Sequence, residues 1–286
     1  MGFVAESGSP RVGIVGGTGG MGSWFAAFLE QAGLEVLRAG RKTPLLPEDL
    51  AARCDVVVVS VPIPETLPVI KRIGPLVREE GLLMDLTSVK ARPLAAMLDH
   101  SRAAVLGAHP LFGPDPDPVP EKRVALCPGR GEWWRRWLTR ILEQGGLRVV
   151  MLSAERHDRL MGLIQGVNHF ASLALARCLL ASGFSWEEIT GCATQSFQRR
   201  TRRIEEMAMQ RPGLFESLLK ENPAAGDAVK GYLRAVEDLF GIIGQGDGNE
   251  FFEAFDQIRR FVAGAADRPF SGAGTSGGNE KNKKCS

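Results

Sequence analysis

From Arg11 to Leu152, short apolar runs alternate with longer stretches whose apolar residues recur at helical spacing. The strand-like runs are Arg11 to Val15, Glu35 to Arg38, Val56 to Ser60, Gly81 to Asp85, Ala103 to Leu106, Val124 to Cys127 and Arg148 to Leu152. Helical spacing covers Met21 to Gln31, Glu65 to Arg78, Ala91 to Asp99 and Glu132 to Gln144. Strand and helix in alternation predict βαβ units and an α/β domain with a mostly parallel sheet. After Ser153 the pattern changes. Helical spacing continues to about Ala265, punctuated by Ser182-Gly183, Pro212-Gly213, Asn222-Pro223 and Gly244 to Gly248, with no strand-like alternation. The expected organisation is a short polar lead (1–10), an α/β domain (11–152), an all-helical domain (153–265) and a disordered Gly-, Ser-, Asn- and Lys-rich tail (266–286).

A chain of 286 residues has room for two domains with a substantial core in each. Its 35 basic and 33 acidic side chains leave a formal charge of +2, which argues against nucleic acid or a membrane as partner and for a small-molecule ligand. The five cysteines lie far apart, with no C-x-x-C pair and no histidine at ligand spacing. Reduced thiols in a cytoplasmic protein, and no metal site, are expected. No export signal is legible at the N-terminus. Leu160 to Leu180 is apolar but carries Gln165, Asn168, His169 and Arg177, so it reads as a buried helix rather than a membrane span.

The first strand runs directly into Gly16-Gly17-Thr18-Gly19-Gly20-Met21-Gly22 and then a helical run. Gly17, Gly19 and Gly22 fit G-x-G-x-x-G, in which glycines allow a tight turn, backbone approach to a pyrophosphate and close packing of helix on strand. A Rossmann-type dinucleotide domain is therefore expected, with Thr18, Gly20 and Met21 completing the phosphate turn. An acidic residue at the end of the second strand would bind the ribose hydroxyl of NAD. This chain has Ala39-Gly40-Arg41-Lys42 there. Glycine leaves room for a 2′-phosphate and Arg41 can pair with it, so NADP is favoured over NAD.

Two further stretches carry the chemistry: Asp85-Leu86-Thr87-Ser88-Val89-Lys90, and Gly107-Ala108-His109-Pro110-Leu111-Phe112-Gly113-Pro114-Asp115. Both follow buried-strand candidates, so Ser88 and His109 fall at strand ends, where open α/β sheets bind ligands. A histidine in a rigid Gly- and Pro-flanked loop suits general-base work, and a bond from Ser88 would orient it to accept a hydroxyl proton as hydride leaves the same carbon.

These stretches, with Gly17 to Gly22, Val59-Ser60-Val61-Pro62, His157-Asp158 and His169, resemble the prephenate dehydrogenase family of tyrosine biosynthesis across Arg11 to Ala265. The resemblance implies a nucleotide-binding domain, a helical domain that forms a homodimer, and oxidative decarboxylation of prephenate to 4-hydroxyphenylpyruvate. It also implies that His109 takes the hydroxyl proton, that Ser88 bonds to His109 and to that hydroxyl, that Ser60 and Pro62 line the cofactor site, and that His169 lies at the substrate. His157 and Asp158 read as structural helix-start residues.

One departure concerns the substrate carboxylate. The family places an arginine a few residues before the end of a second-domain helix, and alignment on Pro212 puts Glu206 there. Arg203 is the candidate in its place, supported by Arg199 one turn earlier on the same face. Arogenate dehydrogenase needs the same ring chemistry and is the nearest alternative. A β-hydroxyacid dehydrogenase would carry a lysine early in the second domain, but Arg156 to Leu180 has none. A dinucleotide-sensing regulator would have no need of the Ser88–His109 pair. The lengths available outside 11–265 leave no expectation of a fused chorismate mutase or a regulatory domain.

Overall fold

The structure is a computed structural model, and it describes residues 9–114, 122–245 and 248–266. Asp115, most of the lead and the tail beyond residue 266 lie outside them. Seven strands form one sheet: β1 (Val12–Val15), β2 (Val36–Ala39), β3 (Val56–Val59), β4 (Leu82–Asp85), β5 (Ala104–Pro110), β6 (Arg123–Arg130) and β7 (Arg148–Met151). Their order is β2-β1-β3-β4-β5-β6-β7, and every pair is parallel except β5 with β6. The helices that cover it are α1 (Gly20–Gln31), α2 (Pro47–Arg53), α3 (Ile63–Ile73), α4 (Ala91–His100) and α5 (Glu132–Gln144).

The four valines of β3 are all buried, as a parallel strand covered on both faces requires. They divide by the two-residue period of a strand. Val56 and Val58 join Ile14, Phe25, Leu29, Met84 and Leu106 in the core on one face, and Val57 and Val59 join Ile70, Leu83, Met97 and Val105 on the other.

Three local differences from the sequence reading have physical causes. Helix α2 was not foreseen, although Pro47 opens it and the Asp49 carboxylate accepts the Leu46 amide at 2.9 Å. Helix α3 ends at Ile73 rather than continuing to Arg78, because Gly74-Pro75 turns the chain through a short 3₁₀ segment. Strand β5 extends through His109 to Pro110, since antiparallel pairing with β6 places His109 opposite Ala125. His109 is a strand residue, and the rigid loop begins after it.

Helices α6 (Ala154–Met161), α7 (Asn168–Ala181), α8 (Trp186–Gly191), α9 (Gln195–Ala208), α10 (Pro212–Lys220), α11 (Pro223–Gln245) and α12 (Asn249–Ala266) follow, with a π-helical turn at Gly162–Val167 joining α6 to α7. The chain packs as two compact units, 1–234 and 235–286, so the first holds the sheet together with α6 to α10. The expected burial of Leu160 to Leu180 is not met within this chain. Of α7 only His169 is buried, while Leu163, Ile164 and Leu180 are exposed. The 154–181 segment is long and apolar enough by composition to cross a membrane, with 11% of its most apolar window buried.

Candidate active site

The sheet order reverses between β1 and β3, and the chain segments leaving these two strands meet there. Gly16 has φ +82°, and a Cβ at that residue would lie 2.1 Å from the Ser60 carbonyl oxygen. A Cβ at Gly22 would lie 2.3 Å from the Gly16 carbonyl oxygen, so the first turn of α1 sits directly on the glycine turn. Only a chain without side chains at these points fits. The left-handed residue of the turn is Gly16, one place before the G-x-G-x-x-G run that opens at Gly17. Gly19 caps α1, and the first-turn amides of Gly20, Met21 and Gly22 point out of the helix start with no intrahelical partner. Ser60 and Pro62 stand across the crevice, Pro62 at the start of α3. Beyond β2, Gly40 and Thr43 close a tight turn through the Thr43 hydroxyl, with Arg41 and Lys42 exposed at its tip and Thr18 packed on Gly40. The cradle therefore fits a dinucleotide.

The chain leaving His109 returns to this turn. Phe112 meets Trp24 of α1 edge-on at 4.8 Å, and Pro114 packs over Gly20. His109 itself is buried and projects from the same face of the sheet as Val105 and Gly107, the face packed by α4 and α6.

Beneath it lies a buried ion pair. Lys90, fully buried at the start of α4, donates its ammonium to the Asp85 carboxylate and to the Ala108 carbonyl, the latter at 2.8 Å. Its stem crosses Gly107, where a Cβ would lie 3.0 Å from Lys90 Cδ. The Thr87 amide and hydroxyl also donate to the same Asp85 oxygen, and Asp85 Oδ1 has no partner among the described residues.

His109 does not bond to Ser88. Its Nδ1 lies 2.9 Å from His157 Nε2, and His157 Nδ1 lies 2.8 Å from Asp158 Oδ1. The Asp158 carboxylate accepts the Lys90 amide at 2.8 Å and the Ala91 amide at 2.9 Å, and the Asn222 side-chain amide donates to the Asp158 carbonyl at 2.9 Å. Ser88 is half-buried in the β4–α4 turn, without a protein partner among the described residues. The expected Ser88–His109 bond is not formed: His157, brought in by α6, takes Nδ1, and Ser88 makes no bond to Nε2.

The electrostatics follow from this packing. Burial, the adjacent His157 and the Lys90 charge hold His109 well below the ordinary histidine pKa. Burial pushes the Asp158 carboxyl up, but hydrogen bonds from His157, Ala91 and Lys90 outweigh it and hold Asp158 below its usual value. His109 is thus held as a neutral imidazole at neutral pH, with no partner for Nε2 among the described residues.

His169 is buried on α7 against the Phe215 ring of α10, with ring centres 5.1 Å apart. Burial, then the nearby Arg203 guanidinium, lower its pKa. Arg203 pairs with Glu206 one turn along α9 at 3.3 Å, and Arg199 is exposed one turn earlier on the same helix. The structure thus associates His169 with Arg203 and leaves Arg199 at the surface. Sequence reasoning passed over His157, Asp158, Lys90 and Asn222 as site residues. The signals available were an adjacent His-Asp pair one turn into a Ser153-capped helix, and a lysine in an otherwise apolar strand-to-helix turn.

Sheet order, glycine turn and the helical region that follows define a Rossmann-type dinucleotide-binding protein. Residues 42–151 match the family model described as prephenate dehydrogenase, nucleotide-binding domain, and residues 153–257 match the prephenate dehydrogenase dimerization domain. The T-protein of Enterobacter agglomerans is 30% identical over 255 residues, covering 89% of this chain and 68% of the relative. A Methanocaldococcus jannaschii protein named probable arogenate/prephenate dehydrogenase is 29% identical over 276 residues, and the chain spans 62% of that relative's length. The fold is that of prephenate dehydrogenase from A. aeolicus, solved in complex with hydroxyphenyl propionate and NAD+, at TM-score 0.74 and 20% identity, covering 91% of this chain and 99% of that one. The chain belongs to the prephenate dehydrogenase family.

Proposed function

We propose that this protein is a prephenate dehydrogenase, converting prephenate to 4-hydroxyphenylpyruvate and carbon dioxide with NAD(P)+ as oxidant. The observation that carries the reading is a buried, neutral His109 whose Nε2 has no partner among the described residues, on a strand whose outgoing loop packs against the dinucleotide turn. Gly17 to Gly22, Ser60 and Pro62 hold the dinucleotide, and when bound it supplies the hydride acceptor at the ring carbinol carbon. His109 Nε2 takes the carbinol hydroxyl proton, a role worth about 10²–10⁴ in rate. Ser88, whose hydroxyl has no partner among the described residues, donates to or accepts from that same hydroxyl. Loss of the ring carboxylate as carbon dioxide completes an aromatic ring, so the remaining task of the protein is orientation. Arg203 beside His169 holds a substrate carboxylate, with Arg199 in support.

We assign NADP as the preferred oxidant, because the turn after β2 presents Arg41 and Lys42 where an acidic residue would select NAD. We assign a cytoplasmic homodimer, in which a second copy covers the exposed apolar residues of α7 and the π-helical turn. The matched dimerization model over 153–257 supports this assembly.

The test is steady-state reduction of NADP+ and of NAD+, each with prephenate and with arogenate. Turnover with prephenate establishes the reaction, and loss of the NADP+ preference in Arg41→Ala establishes the cofactor assignment. Turnover with arogenate alone replaces prephenate as substrate. Absence of turnover in all four mixtures, with dinucleotide binding intact, overturns the reading in favour of a sensor.

A further inference from the structure

We propose that His157 and Asp158 are positioning residues that lock His109 into the tautomer with its proton on Nδ1, leaving Nε2 as the bare base. The inference deepens the role given to His109 above, and its primary test does not depend on turnover.

The sense of the hydrogen-bond chain is set at its far end, by groups that cannot reverse. The amides of Lys90 and Ala91 open α4, and a backbone N–H only donates. They meet Asp158 Oδ1 at 2.8 Å and Oδ2 at 2.9 Å, so both oxygens accept. The carboxylate is ionised at the positive end of a ten-residue helix, where its charge is favoured. An ionised carboxylate has no proton to give, so the 2.8 Å contact with His157 Nδ1 requires the proton on His157. With its one ring proton committed to Asp158 through Nδ1, His157 offers a lone pair at Nε2, and the 2.9 Å contact to His109 Nδ1 then places the proton on His109. The lone pair of His109 falls on Nε2, the nitrogen without a partner among the described residues.

Three separate elements hold the chain together: His109 on β5, His157 and Asp158 on α6, and the amides on α4. His157 is fully buried and Asp158 is 4% exposed, so water does not compete for these contacts. Asn222 pins the register of α6 by donating to the Asp158 carbonyl. When Nε2 gains a proton, the resulting imidazolium keeps its Nδ1 bond to His157, with the Asp158 charge one ring further on. Of the groups packed around His109, His157 and Lys90 oppose that proton, while the Asp85 carboxylate is engaged by Lys90.

The chain has four histidines, so the ring nitrogens of ¹⁵N-histidine-labelled protein give four resolvable pairs. His109→Asn identifies the pair belonging to His109. At neutral pH the wild-type protein is expected to show His109 protonated on Nδ1 and not on Nε2. His157→Phe is expected to abolish that preference and lower kcat by ~10²-fold with the prephenate KM changed by less than about threefold. His157→Gln, whose side-chain oxygen accepts the same bond, is expected to restore the tautomer and bring kcat to within roughly tenfold of wild type. A wild-type His109 protonated on Nε2, facing a doubly protonated His157, overturns the proposal without need of any variant. So does an unchanged tautomer in His157→Phe, or equal losses in the Phe and Gln variants. The Nδ1 tautomer in an enzyme inactive with all four substrate mixtures would uphold the lock and refute the reaction.

Discussion

Replacing Lys90 with methionine removes one ammonium from the centre of the molecule and keeps most of the stem that crosses Gly107. Lys90 and Asp85 are both fully buried. Without the ammonium, Asp85 retains the Thr87 amide and hydroxyl on Oδ2 and has no partner for Oδ1, while the Ala108 carbonyl loses its 2.8 Å donor. Removing one member of a buried pair leaves an uncompensated charge and costs about 3–5 kcal/mol. For a chain of this size that corresponds to a fall in Tm of roughly 6–20 °C. Neutralising both members removes the stranded charge, so Asp85→Asn combined with Lys90→Met is expected to recover at least about half of the loss, with coupling in the range seen for contacting residues. The assay is calorimetry and urea unfolding of the wild type, both single variants and the double variant, at one fixed protein concentration because of the proposed dimer. A Lys90→Met variant within about 1 kcal/mol of wild type, or a double variant less stable than Lys90→Met alone, would refute the reasoning. The pair would then be no more than an inert contact behind the site.

Other expectations concern the site itself. His109→Asn should lower turnover by ~10²-fold or more while dinucleotide affinity, read by fluorescence titration, stays near wild type; unchanged turnover would remove His109 from the mechanism. Arg203→Ala should raise the prephenate KM by roughly tenfold with little change in cofactor KM, and a larger effect in Arg199→Ala would shift the carboxylate anchor one turn along α9. The native His109 pKa lies below its ordinary value of 6.5, so the unfolded chain binds that proton first. Its contribution is complete above pH 6.5 and is lost as pH falls from there toward the native value, by at most about 1.4 kcal/mol per pH unit for one proton. His169 acts in the same direction. Stability measured across that range should fall less steeply in His109→Asn, and an identical slope would show that other groups govern it.

Most of the α/β half was legible because its signals are local. A strand buried on both faces needs a continuous apolar run, as in Val56 to Val59, and a dinucleotide turn needs glycine where Cβ atoms would collide, as at Gly16 and Gly22. The end of β5 was not legible, since His109 becomes a strand residue only through pairing with Ala125 of β6, on the far side of an intervening loop. The apolar face of α7 was read as core, because composition reports that a face must be covered without reporting by which chain. At the site, the sequence by itself determined which groups are present: a histidine beside glycines, a serine and lysine in the preceding turn, and a dinucleotide cradle. The tertiary structure alone decided their partnerships. His109 meets His157 across 48 residues, and Asp158 caps α4 across 67 and 68. A hydrogen bond is a matter of tenths of an ångström and of which atom faces which, and those are set by the packing of α4 and α6 on the sheet rather than by any spacing along the chain.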